Sequence, residues 1–187
     1  MIEMEIKAYL NDETLNSLLE LAPKFISSST QSDVYYNAPN RDFKTTDEAL
    51  RIGVSNGHAE VTYKGPKIDA ETKARIEINV KIDDYQKFSN ILQILNFKRI
   101  KSVDKIRRQY ECEGLSVMID EVKDLGKFLE VEVLVESNFE AAKERVFSLL
   151  NRIGLGKEKL TRESYLELLL KEQTQTHAGE PQQLRLD

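Results

Sequence analysis

Two carboxylates and an ammonium stand at alternate positions near the start of the chain: Glu3, Glu5 and Lys7. On an extended strand, side chains at i and i+2 share a face and lie about 6.5–7 Å apart. That spacing lets two carboxylates share one Mg2+ or Mn2+ with waters between them. Charges recur at two-residue spacing further along, as Arg75 and Glu77, Lys105 and Arg107, and Glu130 and Glu132, with Arg51, Lys64 and Asp120 on other strand-like segments. Clustered carboxylates ask for divalent cations and clustered Lys and Arg ask for phosphates, and a cation bridging phosphate oxygens satisfies both. The chemistry is polyphosphate plus metal, provided that the charged faces meet in one lumen. On an open sheet the same charges form a solvated face with cross-strand pairs contributing roughly 0.2–1 kcal/mol each.

The elements that position these groups must be strands. Ile2, Met4, Ile6 and Ala8 alternate with Glu3, Glu5 and Lys7, and residues 75–82 and 129–133 repeat the pattern. Further strands are predicted over 33–37, 48–55, 58–64, 98–111 and 115–121, with Asn56-Gly57 as a two-residue hairpin turn and Gly114 as another. Helical spacing predicts helices over 12–22, with Asp12 as N-cap and Pro23 beyond, and over 84–95, 138–152 and 161–171. Residues 173–187 are polar and Gln-rich and read as a disordered tail, leaving one domain over 1–172. The sum is an antiparallel α+β protein of about eight strands, either a sandwich or a closed barrel.

Composition narrows the function. The 187 residues include 27 Lys and Arg against 32 Asp and Glu, a net charge of −5, so the basic footprint of a nucleic-acid binder is missing. Two His and one Cys exclude zinc fingers and His-rich metal sites, and any metal must be a hard cation on oxygen ligands. Lone Cys112, an N-terminus without a signal-peptide pattern and the lack of an apolar run of about 18 residues predict a cytoplasmic protein with no membrane partner. His58 and His177 have no partner nucleophile, and Thr45-Thr46-Asp47 reads as turn chemistry. Gly65-Pro66 and Gly126 punctuate turns and lack the spacing of a phosphate-binding glycine loop.

Seven segments in order carry a resemblance: EMEIK (Glu3, Glu5, Lys7), QSDVYY (Gln31, Asp33, Tyr35, Tyr36), EALRI (Arg51), VTYKGPK (Lys64, Lys67), ARIEI (Arg75, Glu77), VDKIRRQY (Lys105, Arg107) and VMIDEVKDLGKFLEVEV (Asp120, Gly126, Glu130, Glu132). Over roughly residues 1–170 the chain resembles the CYTH family of class IV adenylate cyclases and thiamine triphosphatases, also called triphosphate tunnel metalloenzymes. The resemblance implies an eight-stranded antiparallel β tunnel with helices packed outside, and one or two Mg2+ or Mn2+ ions. It makes Glu3, Glu5, Glu77, Asp120, Glu130 and Glu132 metal-site candidates, and Lys7, Arg51, Lys64, Arg75, Lys105 and Arg107 triphosphate-site candidates, with Glu3, Glu5 and Lys7 as the catalytic set. Two positions depart from the family pattern: Gly53 stands where a second arginine is common, and Asn79 where an acid often follows Glu77. Tyr165 resembles a family position near the C-terminus and reads as a packing residue.

The expected partner is a small polyphosphate or nucleotide, with homodimerisation left open. A metal-dependent triphosphatase is favoured over an adenylate cyclase, because no adenine-reading element is evident and strand aromatics such as Tyr35, Tyr36 and Tyr63 usually pack. A non-catalytic polyphosphate-binding module is a third reading. If the tunnel forms, Glu3, Arg75 and Glu130 point into one cavity, while Met4, Ile76 and Val131 lie under helices.

Overall fold

A computed structural model describes residues 2–135 and 138–178. The chain runs β1 (Ile2–Tyr9), α1 (Asp12–Glu20), β2 (Lys24–Asn37), α2 (Phe43–Thr46), β3 (Ala49–Ser55), β4 (His58–Lys64), β5 (Arg75–Ile82), α3 (Tyr85–Ile94), β6 (Lys98–Cys112), β7 (Leu115–Val122), β8 (Gly126–Val135), α4 (Phe139–Arg152), a 3₁₀ turn (Lys157–Lys159), β9 (Leu160–Thr161) and α5 (Tyr165–Ala178). The strand order is β5-β4-β3-β2-β6-β7-β8-β1, and β5 pairs back onto β1. All these pairings are antiparallel, so the sheet closes into an eight-stranded barrel with five helices outside it. Closure, rather than a sandwich, is fixed by the β5–β1 pairing, which leaves the charged faces pointing into one lumen.

The closing seam is short. β5 contributes two residue pairs to β1, Ile2↔Ile76 and Glu3↔Arg75. Beyond them the backbone N–H of Lys73 donates to Glu5 O at 3.0 Å, and Thr161 of β9 pairs with Lys7. The edge of β1 is thus taken in turn by β5, by the loop 65–74 and by β9, which satisfies its backbone groups.

The Asn56-Gly57 and Glu113-Gly114 turns both have positive φ at two successive residues (48° and 82°, 53° and 74°), as the tight hairpins require. Helix starts follow local capping: Asn11, rather than Asp12, accepts from Thr14 N at 2.8 Å, and Asp84 caps α3 through Lys87 N. Met4, Ile6, Ala8, Val117, Ile119 and Val131 pack with Leu18 of α1 and Val146, Leu149 and Leu150 of α4 in the main core. Truncating such a residue, for example Leu149→Ala, costs about 2–5 kcal/mol. α5 crosses one end of the barrel, where Tyr165, Leu168 and Leu169 cover Tyr35, Val103, Val122 and Phe128.

Three expectations need correction. Met4 and Val131 lie under helices, but Ile76 is 55% exposed and Ile78 and Val80 match it, because α1, α3 and α4 pack elsewhere on the barrel. β2 begins at Lys24 rather than near 33, since the unpatterned run Ser27–Thr30 is held extended by its ladder to β6. Helix α5 continues to Ala178, into the stretch read as a tail; residues 179–187 lie outside those described.

Candidate active site

Inside the barrel lies a cavity of about 970 Å³. Eleven of the twelve candidates line it: Glu3, Glu5 and Lys7 from β1, Arg51 from β3, Lys64 from β4, Arg75 and Glu77 from β5, Lys105 and Arg107 from β6, and Glu130 and Glu132 from β8. Strand alternation puts them there, because their neighbours at the intervening positions face the helices or solvent.

Asp120 is the exception. It is fully buried behind the wall, where Arg107 Nε donates to Oδ1 at 2.7 Å and Tyr165 Oη donates to Oδ2 at 2.9 Å. Arg107 Nη2 also bridges Asp120 and Glu130. Asp120 therefore aims a base into the cavity. Asp33, which the sequence reading left without a role, does the same from the other side: its carboxylate accepts from Arg51 Nη1 at 3.0 Å and lies 3.6 Å from Lys105 Nζ. A Cβ at Gly53 would meet Asp33 Oδ1 at 2.8 Å, so this carboxylate takes up the room beside position 53. Asn79 also acquires a purpose. It accepts from Thr62 and donates to Glu77 Oε1 at 3.0 Å, where a second acid would repel Glu77.

The charges divide into two groups. Around Lys7 the acids are compensated. Lys7 Nζ lies 2.9 Å from Glu130 and 3.4 Å from Glu5, over the Tyr165 ring, and donates to Glu163 O. Burial opposes ionisation of Glu130, yet Lys7, Arg107 and Lys105 hold its pKa at about 2. Glu5 is buried too, and Lys73 and Lys7 keep it well below the ordinary carboxylate range. Around Glu3 the acids are under-compensated. Burial, with Glu132 and Glu77 beside it, pushes Glu3 up to about 8 against the pull of Lys64. Burial and Glu5 raise Glu132, which forms no ion pair among the described residues. Glu77 Oε2 is in charge contact with Lys64 but accepts no hydrogen bond.

These observations test the fit of a divalent cation. Among the described residues no three carboxylates already converge on one point, because Lys64, Lys7 and Lys73 stand between them. The Glu3 and Glu132 carboxylates are nevertheless buried hard-oxygen donors whose pKa values are raised, and Glu77 beside them has a buried oxygen that accepts no hydrogen bond. Oxygen donors of this kind are what Mg2+ and Mn2+ prefer. On the basic side, Arg51 Nε is buried without an acceptor, and Arg75, itself buried, forms no ion pair among the described residues. A buried cation without a partner is costly, and a phosphate oxygen would satisfy it.

Lys73 and Tyr165 are site residues that the sequence reading missed or discounted. Lys73 lines the cavity and its Nζ lies 2.9 Å from Glu5 Oε1; burial and Lys7 lower its pKa to about 7 against the pull of Glu5. It was legible in principle, since Lys73 continues the alternation of Arg75 and Glu77, but the strand was read as starting at 75.

A closed antiparallel barrel whose cavity is lined by acids and bases accords with the CYTH domain, whose family model matches residues 1–165. The chain belongs to that family. Its members are enzymes, adenylate cyclases or triphosphatases, and are generally dependent on divalent metal. A Methanocaldococcus jannaschii protein, MJ0240, provisionally named an adenylate cyclase, is 43% identical over 90% of this chain and 98% of its own. The structure of PH1819 from Pyrococcus horikoshii superposes with a TM-score of 0.85 at 42% identity, covering 91% of this chain and 99% of that one. The adenylate cyclase CyaB of Aeromonas hydrophila is 25% identical over 89% of this chain and 87% of its own.

Proposed function

We propose that this protein is a metal-dependent triphosphatase hydrolysing inorganic triphosphate or nucleoside triphosphates in the tunnel. The observation that carries the reading is one cavity in which Arg51 Nε has no acceptor and Arg75 has no ion pair among the described residues, beside the raised carboxylates of Glu3 and Glu132. Lys7, Arg51, Lys64, Arg75, Lys105 and Arg107 bind and orient the phosphate chain, with Asp33 and Asp120 fixing the guanidinium planes behind it. Glu3, Glu5, Glu77, Glu130 and Glu132 would hold Mg2+ or Mn2+. When bound, such an ion would supply charge to offset that of the phosphates and would make a nearby water more acidic.

Class IV adenylate cyclase is the second reading, favoured by the names of two relatives. It needs the nucleoside fixed so that the 3′-hydroxyl reaches the α-phosphorus. Of the tyrosines offered for stacking, Tyr63 does not line the cavity, whereas Tyr35 and Tyr36 do, with the Tyr36 hydroxyl bonded to Ser89. A binding module without catalysis would not need five cavity carboxylates. A cytoplasmic setting belongs to the same proposal, resting on the lone buried Cys112; among the described residues no helix is long and apolar enough to cross a membrane.

The test is product identity. The protein is incubated with inorganic triphosphate or ATP and each metal, and orthophosphate, pyrophosphate and cyclic AMP are separated. Orthophosphate is expected; cyclic AMP with pyrophosphate transfers the assignment to the cyclase, and binding without turnover to the module.

A further inference from the structure

Lys73 differs from the six candidate phosphate-site bases because no strand carries it. It arrives on the loop 65–74 between β4 and β5, which fills the seam left beside β1, and its side chain is only 6% exposed. The loop is fastened from outside. Asp69 and Glu71 pair with Lys143 of α4 at 3.1 and 2.7 Å, and Arg162 donates to the carbonyl oxygens of Asp69 and Thr72. It is fastened from inside by Lys73 N–H on Glu5 O and by Lys67 on Asp47. With the backbone held at both faces, the freedom left to Lys73 is that of its side chain.

Glu5 Oε1 carries two ammonium groups, Lys73 at 2.9 Å and Lys7 at 3.4 Å. Their situations differ. Lys7 has a second carboxylate, Glu130, at 2.9 Å, and the carbonyl of Glu163. Lys73 has no other ion-pair partner among the described residues. A divalent cation drawn to Glu5 would displace both, and Lys7 would retain Glu130. Lys73 would be left without an ion pair, with the carboxylates of Glu130 and Glu167 acting on it only from beyond ion-pair distance, and it would then either lose its proton or take a nearer anion. The anion within reach would be the phosphate chain in the same cavity.

We infer that Lys73 is a seventh polyphosphate-binding base, parked on Glu5 in the absence of ligand and handed to a phosphate oxygen when a divalent cation occupies Glu5. This rests on the polyphosphate reading of the tunnel. Metal and triphosphate then bind as a set, because each removes the other's cost: the cation takes Glu5, and the phosphate takes the released ammonium.

Calorimetric titration of Mn2+ alone, of triphosphate in EDTA and of Mn2+ with triphosphate tests it on wild type, Lys73→Met and Lys73→Arg. Lys73→Met keeps the methylene stem and removes the charge. It should weaken Mn2+–triphosphate about ten- to a hundredfold, while Mn2+ alone binds more tightly, since its competitor on Glu5 is gone. A purely structural lysine would lower both affinities together. Should Lys73→Met not fold, Lys73→Arg decides: retained Mn2+–triphosphate binding with weaker Mn2+ alone supports the handover, and lost triphosphate binding overturns it. Arg75→Ala separates the two levels of the argument. Triphosphate binding that Arg75→Ala weakens but Lys73→Met leaves unchanged overturns the role of Lys73 alone. Wild type that binds no triphosphate overturns the tunnel reading, and this inference with it.

Discussion

The two ends of the charge array in this tunnel are built from the same residue types and behave oppositely. Around Lys7, Arg107 and Glu130 every acid has a base against it, and the carboxylates stay ionised despite burial. Around Glu3 and Glu132 the carboxylates share Lys64 with Glu77, which despite burial Lys64 and Arg51 hold below its ordinary range, and burial pushes Glu3 up to about 8. Burial is common to both regions, so burial does not separate them. Cation count does. The compensated end is a finished structural element that presents bases to a ligand, whereas the under-compensated end is short of positive charge that a divalent ion supplies.

The largest effect that can break this contrast is on activity. Glu3→Gln or Glu5→Gln keeps the shape and removes a charged oxygen, and should lower turnover by roughly a hundredfold or more, with partial recovery in excess metal. Turnover unchanged in EDTA would make these carboxylates structural. Next comes stability. Arg107→Met leaves Asp120 with only Tyr165 and Lys105 and removes one of the two bases on Glu130, and should cost about 3–5 kcal/mol in urea unfolding. Glu132→Gln at the other end removes an acid that burial already disfavours, and should leave metal-free stability unchanged or raised. Equal losses in the two variants would erase the distinction between the ends.

The pH profile sharpens it. Glu3 has a folded pKa near 8 against 4.5 unfolded, so its contribution is complete below pH 4.5 and is lost as pH rises through about 8. Glu130, held near 2, contributes above pH 4.5 and loses that contribution as pH falls through about 2. Lys73, lowered from 10.5 to about 7, destabilises fully below pH 7 and less as pH rises towards 10.5. The difference between wild type and Glu3→Gln, measured in EDTA at stepped pH, isolates the Glu3 slope, which Mn2+ should flatten. The smallest effect belongs to Tyr165→Phe. Asp120 keeps Arg107, so the lost hydroxyl should cost about 1 kcal/mol and leave triphosphate affinity close to wild type.

Alternation made most of the barrel readable, since a period of two on Ile2–Ala8, Arg75–Ile82 and Leu129–Val133 assigns both strand and inward face. It failed where pairing rather than pattern holds the chain extended, as in Ser27–Thr30 against β6. It also said nothing of which apolar faces the helices reach, so Ile76 was placed under cover it does not have.

Alternation therefore determined the α+β class with about eight strands and put eleven of the twelve candidate residues in the cavity wall, because it commits each side chain to a face, while the family was read from the quoted motifs. Only the tertiary structure decided how the charges pair. Asp120 and Asp33 stand behind the arginines, Glu132 stands without an ion pair, and Lys73 enters from a loop. The physical reason is that a strand fixes a side chain's direction, whereas its partner, its burial and hence its ionisation depend on strands distant in sequence that meet across the barrel.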